Sequence, residues 1–110
     1  MIIADFKKAI ETKDYKALSE CFADRCRLFD YTPAGVGQNN FYIFGKAAVD
    51  MFYHNKFILG GLSFKDPRII SERSVDFYGT YGGVIIHAVA TIEGFDSESG
   101  LISEMVIRPA

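Results

Sequence analysis

The chain changes character once, and that change limits what it can fold into. Up to Gly60-Gly61 its apolar residues recur mainly at helical spacing. Beyond that point Leu62 to Ile70, Val75 to Tyr78, Val84 to Glu93 and Leu101 to Arg108 are β-rich runs, separated by turn-formers such as those at 79–83 and 96–100. Helices followed by consecutive strands predict an α+β domain, with helices covering one face of a curved antiparallel sheet. With 110 residues, 49% of them hydrophobic, the chain is one domain over residues 1–110 and has a substantial core.

In the first half, Ile3, Phe6 and Ile10 mark one helical stripe. Tyr15, Leu18 and Phe22 mark another, with Asp14 placed to cap it. Residues 26–31 read as a strand, 32–40 as a loop containing Pro33, Gly35 and Gly37, and 41–44 as a short strand closing a hairpin. Lys46 to Leu59 is helical again, with Val49, Phe52, Tyr53 and Phe57 on its apolar side.

Asp30 stands out within this pattern. It shares strand parity with Cys26 and Leu28, both apolar, and alternate strand residues share a face, so its carboxylate points inward. Burial removes solvent from a carboxylate, raises its pKa and makes it a better proton acceptor near neutral pH. The structural alternative is an Asx-type turn, with Asp30 accepting backbone N–H bonds from Thr32 and the following loop.

Several classes of function are excluded by composition. The 12 basic residues are scattered and the net charge is −2, so no basic stripe exists for nucleic acid. No segment nears the roughly 20 apolar residues of a membrane span, and the N-terminus lacks a signal-like pattern, which predicts a soluble, cytoplasmic protein. Cys21 and Cys26 have neither metal-ligand nor redox spacing and read as buried free thiols. No phosphate loop, metal cluster or Ser/Cys-His constellation is visible, so neither a metal nor a cofactor is expected.

The run 84–93 admits two readings. Val84, Ile86, Ala88, Ala90 and Ile92 form one wholly apolar face, while Ile85, His87, Val89, Thr91 and Glu93 form a mixed one. Ordinarily the apolar face meets the helices and leaves His87 in water. Alternatively the apolar face meets a second subunit, and the mixed face lines an internal pocket. His54, beside Tyr53 and about 100° around the helix from it, reads as a surface histidine.

Two stretches resemble a known superfamily. Ala17-Leu18-Ser19-Glu20-Cys21-Phe22-Ala23-Asp24, followed by a strand ending in Asp30, is similar to a helix-to-strand signature, loosely ALFADDA-x-x-x-D, of the nuclear transport factor 2-like superfamily. Gly45-Lys46-Ala47-Ala48-Val49-Asp50-Met51-Phe52-Tyr53 resembles its third-helix start, G-x-x-A-I-x-x-F-Y. The superfamily includes ketosteroid isomerases, SnoaL-like cyclases and scytalone dehydratase, and the likeness covers roughly residues 5 to 59. It implies a cone-shaped, cystatin-like fold, a strongly bent antiparallel sheet around the helices, a cavity between them and a homodimer through the sheet's outer face. It thereby favours the second reading of 84–93.

The resemblance also places Asp30 at the isomerases' general-base position. It puts Phe6 where they carry an oxyanion-binding tyrosine and Thr91 near their second oxyanion acid. Neither residue can play that part, and each such donor is commonly worth a factor of about 10² to 10³, so efficient ketosteroid isomerisation is not expected. Tyr53 is a substitute donor, and His87 is a candidate partner for Asp30 if the mixed face turns inward. Phe57 and Met105 are candidate wall residues. The expected function is binding of a small hydrophobic organic ligand, with cofactor-independent isomerisation, dehydration or cyclisation through Asp30 as its catalytic form. A non-catalytic ligand-binding or dimerisation module of the same fold is the alternative.

Overall fold

The computed structural model describes all residues, 1–110. Helix α1 (Ile2–Thr12) buries Ile3, Phe6, Ala9 and Ile10, the stripe its spacing requires. It closes at Lys13 in a left-handed conformation, and α2 (Tyr15–Glu20) starts at once, with the Asp14 side chain accepting the Ala17 N–H at 3.0 Å. That bond satisfies one of the open donors of the new helix and fixes its first turn. The two apolar stripes therefore lie on two separate helices.

Strand β1 (Phe22–Asp30) begins four residues earlier than its alternation indicates. Its pairing with the last strand is irregular between Phe22 and Arg27, and the extra residues there break the period of two. Phe22 belongs to this strand and not to the preceding helix. After a short 3₁₀ turn (Pro33–Val36), β2 (Phe41–Phe44) pairs back on β1, and α3 (Lys46–Ile58) follows. Strands β3 (Phe64–Ser71), β4 (Ser74–Tyr81), β5 (Val84–Phe95) and β6 (Ile102–Pro109) complete the chain. Gly82 and Gly83, both at positive φ, make the two-residue β4–β5 turn, which suits the strand twist.

The sheet order is β2-β1-β6-β5-β4-β3. It is mixed and not antiparallel throughout, because β1 and β6 run parallel. A hairpin forces antiparallel pairing, but β1 and β6 are joined through all of residues 31–101, and that connection leaves either sense open. Irregular registers in β3 and at Ile92–Phe95 bend the sheet around the helices.

The faces of β5 are the reverse of the dimer-based expectation. Ala88, Ala90 and Ile92 are fully buried in the core, Ile86 packs against it, and only Val84, beside the turn, is exposed. The small side chains of Ala88 and Ala90 let the helices approach the sheet. The outward face carries Ile85, His87, Val89, Thr91 and Glu93, so the ordinary rule for a half-covered sheet prevails. A test is to enlarge one residue on each face. Ala90→Leu should cost about 1–3 kcal/mol by overpacking, and Val89→Leu less than about 0.5 kcal/mol, in urea unfolding. Equal effects would contradict the assignment.

Candidate functional site

Asp30 ends β1 with no exposed surface, on the inward side shared by Cys26 and Leu28. Both carboxylate oxygens are engaged. Oδ1 accepts the Thr32 backbone N–H at 2.9 Å and the Thr32 hydroxyl, while Oδ2 accepts the Tyr81 hydroxyl at 2.7 Å. The Asx-type turn is therefore present, but it uses only one oxygen. The other faces a phenol 51 positions along the chain.

Tyr81 reaches Asp30 because of a gap in its own strand. Val75, Phe77, Gly79 and Tyr81 share the inward parity of β4, and at Gly79 there is no side chain. A Cβ at that position would lie 2.5 Å from Cε2 of Tyr81, so the ring lies back over the glycine. Burial raises the Asp30 pKa, and the hydrogen bonds from Thr32 and Tyr81 oppose that rise. Burial and the Asp30 charge push the Tyr81 phenol up, and the same two causes act on Tyr53. Both tyrosines are neutral hydrogen-bonding groups at physiological pH.

Aromatic rings fill the space around this pair. Tyr53 packs against Phe52, Phe57 and Phe64 with centroids 5.1 to 6.3 Å apart, and Phe64 lies 4.5 Å from Phe77. Phe6, Tyr53, Phe57 and Met105, the expected ligand contacts, are all buried in the one core cluster. The expected convergence of His87 with Asp30 does not occur. His87 lies on the outer sheet face, stacked on Tyr78 at 4.7 Å, with Nε2 3.1 Å from Asp76 Oδ2. Asp76 also accepts from Arg68 Nη2 at 2.7 Å, and that guanidinium holds its carboxyl below the usual range, with His87 adding to the effect. Thr91 is likewise outside, its hydroxyl 3.4 Å from that of Ser74. The sheet itself separates these two residues from Asp30, since alternate β5 residues point to opposite sides.

A small pocket of about 220 Å³ lies near the β4–β5 turn and the end of α3. Phe41, Leu62 and Tyr81 form its apolar wall, and Gln38, Lys56 and Thr80 its polar rim. A hollow of about 410 Å³ between α1 and α2 is lined half by apolar residues, among them Ile2, Ala9 and Leu101, and one of about 920 Å³ between α2 and α3 is an open groove lined largely by charged or polar residues. The smaller pocket is the better candidate site because one of its walls, Tyr81, is bonded to the buried carboxylate. Sequence reading missed Tyr81, the Thr32 hydroxyl and Lys56. For Tyr81 the signal was present: a glycine two residues earlier on an otherwise apolar parity.

Solved structures share this architecture. A cystatin-like protein of unknown function from Methylobium petroleophilum PM1 aligns over 99% of this chain and 73% of its own, with a TM-score of 0.69 and 19% identity. The chain has a nuclear transport factor 2-like fold. A nuclear transport factor 2-like protein of unknown function from Cytophaga hutchinsonii aligns over 99% of this chain and 87% of its own, at a TM-score of 0.63 and 12% identity. A hypothetical protein from Catenulispora acidiphila with a ketosteroid isomerase-like fold, in complex with trimethylamine, aligns over 99% and 85%, at 0.63 and 10%. No family model and no curated protein matches the sequence. No helix is long and apolar enough to cross a membrane.

The Asp30 cluster makes a signed prediction about pH. A carboxyl with a raised native pKa holds more protons folded than unfolded between the ordinary carboxylate range, near 4, and its native value. Its contribution to stability therefore falls as pH rises through that window. Asp30→Asn keeps the Thr32 bonds through Oδ1 and removes the ionisation. In urea unfolding, stability of the variant minus that of the wild type should increase from about pH 4 upward and then level off. A constant difference across pH 4–8 would show that Asp30 is not raised. Tyr81→Phe strands Oδ2 and should cost about 1.5–3 kcal/mol at neutral pH.

Proposed function

We propose that this chain is a small-molecule-binding domain whose ligand enters at the pocket bordered by Phe41, Lys56, Leu62 and Tyr81 and ends against the Asp30–Tyr81 pair. The observation that carries this reading is the single hydrogen bond joining a pocket wall to a fully buried carboxylate. The pocket joins three apolar residues to the polar side chains of Gln38, Lys56 and Thr80, which can fix a ligand's orientation. Because the Tyr81 hydroxyl donates to Asp30, its oxygen remains an acceptor for a ligand. The presence of a small organic molecule in one protein of similar fold supports ligand binding as a use of this architecture, without specifying charge or position here.

Catalysis by Asp30 imposes a further geometric condition. For Asp30 to act as general base in an isomerisation, dehydration or cyclisation, the substrate must replace the Tyr81 hydroxyl at Oδ2. Tyr81 would then be the nearest donor for charge developing on the substrate, a role expected earlier for Tyr53 or His87. The pocket is checked by titrating the ¹⁵N-labelled chain with a library of one-ring and short-chain organic fragments. Amide shifts should concentrate at residues 38–41, 56–62 and 80–82. Binding confined to the α1–α2 groove, or none at all, would overturn the proposal.

A second reading, association with another copy of the chain, has its own support. Phe29, Tyr31, Tyr42 and Phe44 form a group of rings 5.8 to 6.3 Å apart on the outer sheet face, and Tyr42 and Phe44 are 55% and 61% exposed. Exposed apolar groups of this kind mark interaction surfaces. The arginines on the same face pair with carboxylates, Arg27 with Glu104, Arg68 with Asp76 and Arg108 with Glu93. A face with its charges already compensated can meet its own copy without strong like-charge repulsion. The homodimer is thus assigned to this mixed face and not to Ala88, Ala90 and Ile92. Analytical ultracentrifugation at micromolar concentration should show a dimer that Phe44→Ser with Tyr42→Ser converts to a monomer; a monomeric wild type refutes it.

A further inference from the structure

Lys56 is the only charged side chain lining the pocket. It lies in the last turn of α3, one helical turn beyond Phe52 and Tyr53, and is half-buried. Its stem therefore runs along the aromatic wall while its head stays at the rim. The ammonium nitrogen lies 5.1 Å from the Phe41 ring centroid and 5.5 Å from that of Phe52. The chain's ion pairs involve Lys7, Lys16, Arg27, Arg68, His87 and Arg108, and not Lys56. Two ring faces attract this cation, but no carboxylate neutralises it.

One neighbouring group also suits an anion, the Gln38 amide on the rim. At the end of α3 the Asn55 carbonyl accepts from the N–H groups of Leu59 and Gly60, and that of Lys56 from Leu62. The negative end of the helix dipole favours the Lys56 ammonium there, so the attraction for an anion must come from that charge itself. Gln38, whose side chain lies against Gly82, adds an amide donor to the rim. A volume of about 220 Å³ equals roughly seven waters, enough for one ring or a short chain.

We infer that the pocket selects small amphiphilic carboxylates, with the carboxylate paired to Lys56 and the apolar part against Phe41, Leu62 and Tyr81. This inference rests on the pocket being a ligand site and adds the sign of the ligand's charge. The probes are benzoate, benzyl alcohol and benzylammonium, which share a ring and differ in charge. Each is titrated into the ¹⁵N-labelled chain and into the variants Lys56→Met and Lys56→Arg.

Benzoate should bind at residues 38–41, 56–62 and 80–82 at least about fivefold more tightly than the alcohol, the ratio expected of an ion pair worth about 1 kcal/mol. Benzylammonium should bind weakest. Lys56→Met preserves an apolar stem and should bring the benzoate-to-alcohol affinity ratio to about one. Lys56→Arg should retain the preference, which separates charge from packing. Equal binding of benzoate and alcohol, a preference for the ammonium, or a benzoate preference that survives Lys56→Met would each overturn the carboxylate inference and leave the pocket standing. If none of the three probes shifts these residues, the pocket reading itself fails.

Discussion

The hydrogen bond from Tyr81 to Asp30 is the contact on which the arrangement of this molecule depends. Asp30 lies on β1 and Tyr81 on β4, with β6 and β5 between them. Three strand spacings amount to about 14 Å across a flat sheet, too far for one carboxylate and one phenol to bridge comfortably. The bond therefore requires the sheet to curl, and it ties together the two sides of the curl. It also resolves the cost of burying the carboxylate, because Thr32 supplies two donors to one oxygen and Tyr81 one to the other. Removing the phenol would remove both a cross-tie and a solvation partner.

Strand alternation divides the polar groups between the two sides of the sheet. Inside, Asp30, Thr32, Tyr53 and Tyr81 lie among aromatic rings and are cut off from bulk water. Outside, Arg68, Asp76, His87 and Tyr78 form a separate, half-exposed network. The two groups cannot act on one small molecule, since a complete layer of backbone lies between them. Any chemistry at Asp30 must draw its assistance from Tyr81, Thr32 or Tyr53, and His87 belongs instead to the surface that would meet another molecule.

Much of this was legible from local pattern. The parity of Cys26, Leu28 and Asp30 placed the carboxylate inward, Asp14 capped its helix, and the spacing of Ile3, Phe6 and Ile10 marked the buried side of α1. Local pattern fails where two distant segments meet. Nothing near Asp30 indicates Tyr81, because their proximity follows from sheet curvature, and curvature comes from bulges that alternation does not register. The orientation of β5 failed for a different reason. The ordinary rule was adequate, but the dimer implied by family resemblance reversed it, and the burial of Ala88 and Ala90 shows that the residues themselves carried the better information.

The separation of Asp30 from Lys56 explains why the aromatic residues between them matter beyond packing. Asp30 is buried behind the Tyr81 phenol and Lys56 lies on the pocket rim, and no ion pair joins them. Each charge is instead stabilised locally: the carboxylate by three hydrogen bonds, the ammonium by two ring faces and water. Direct contact would neutralise both and leave the pocket no electrostatic preference. Held apart, Lys56 remains available to an entering group while Asp30 stays bound to a neutral donor that a ligand must displace. On the proposed reading, entry and reaction would be separable steps: affinity would be set at the rim, and access to the carboxylate by whether a ligand could take the place of Tyr81.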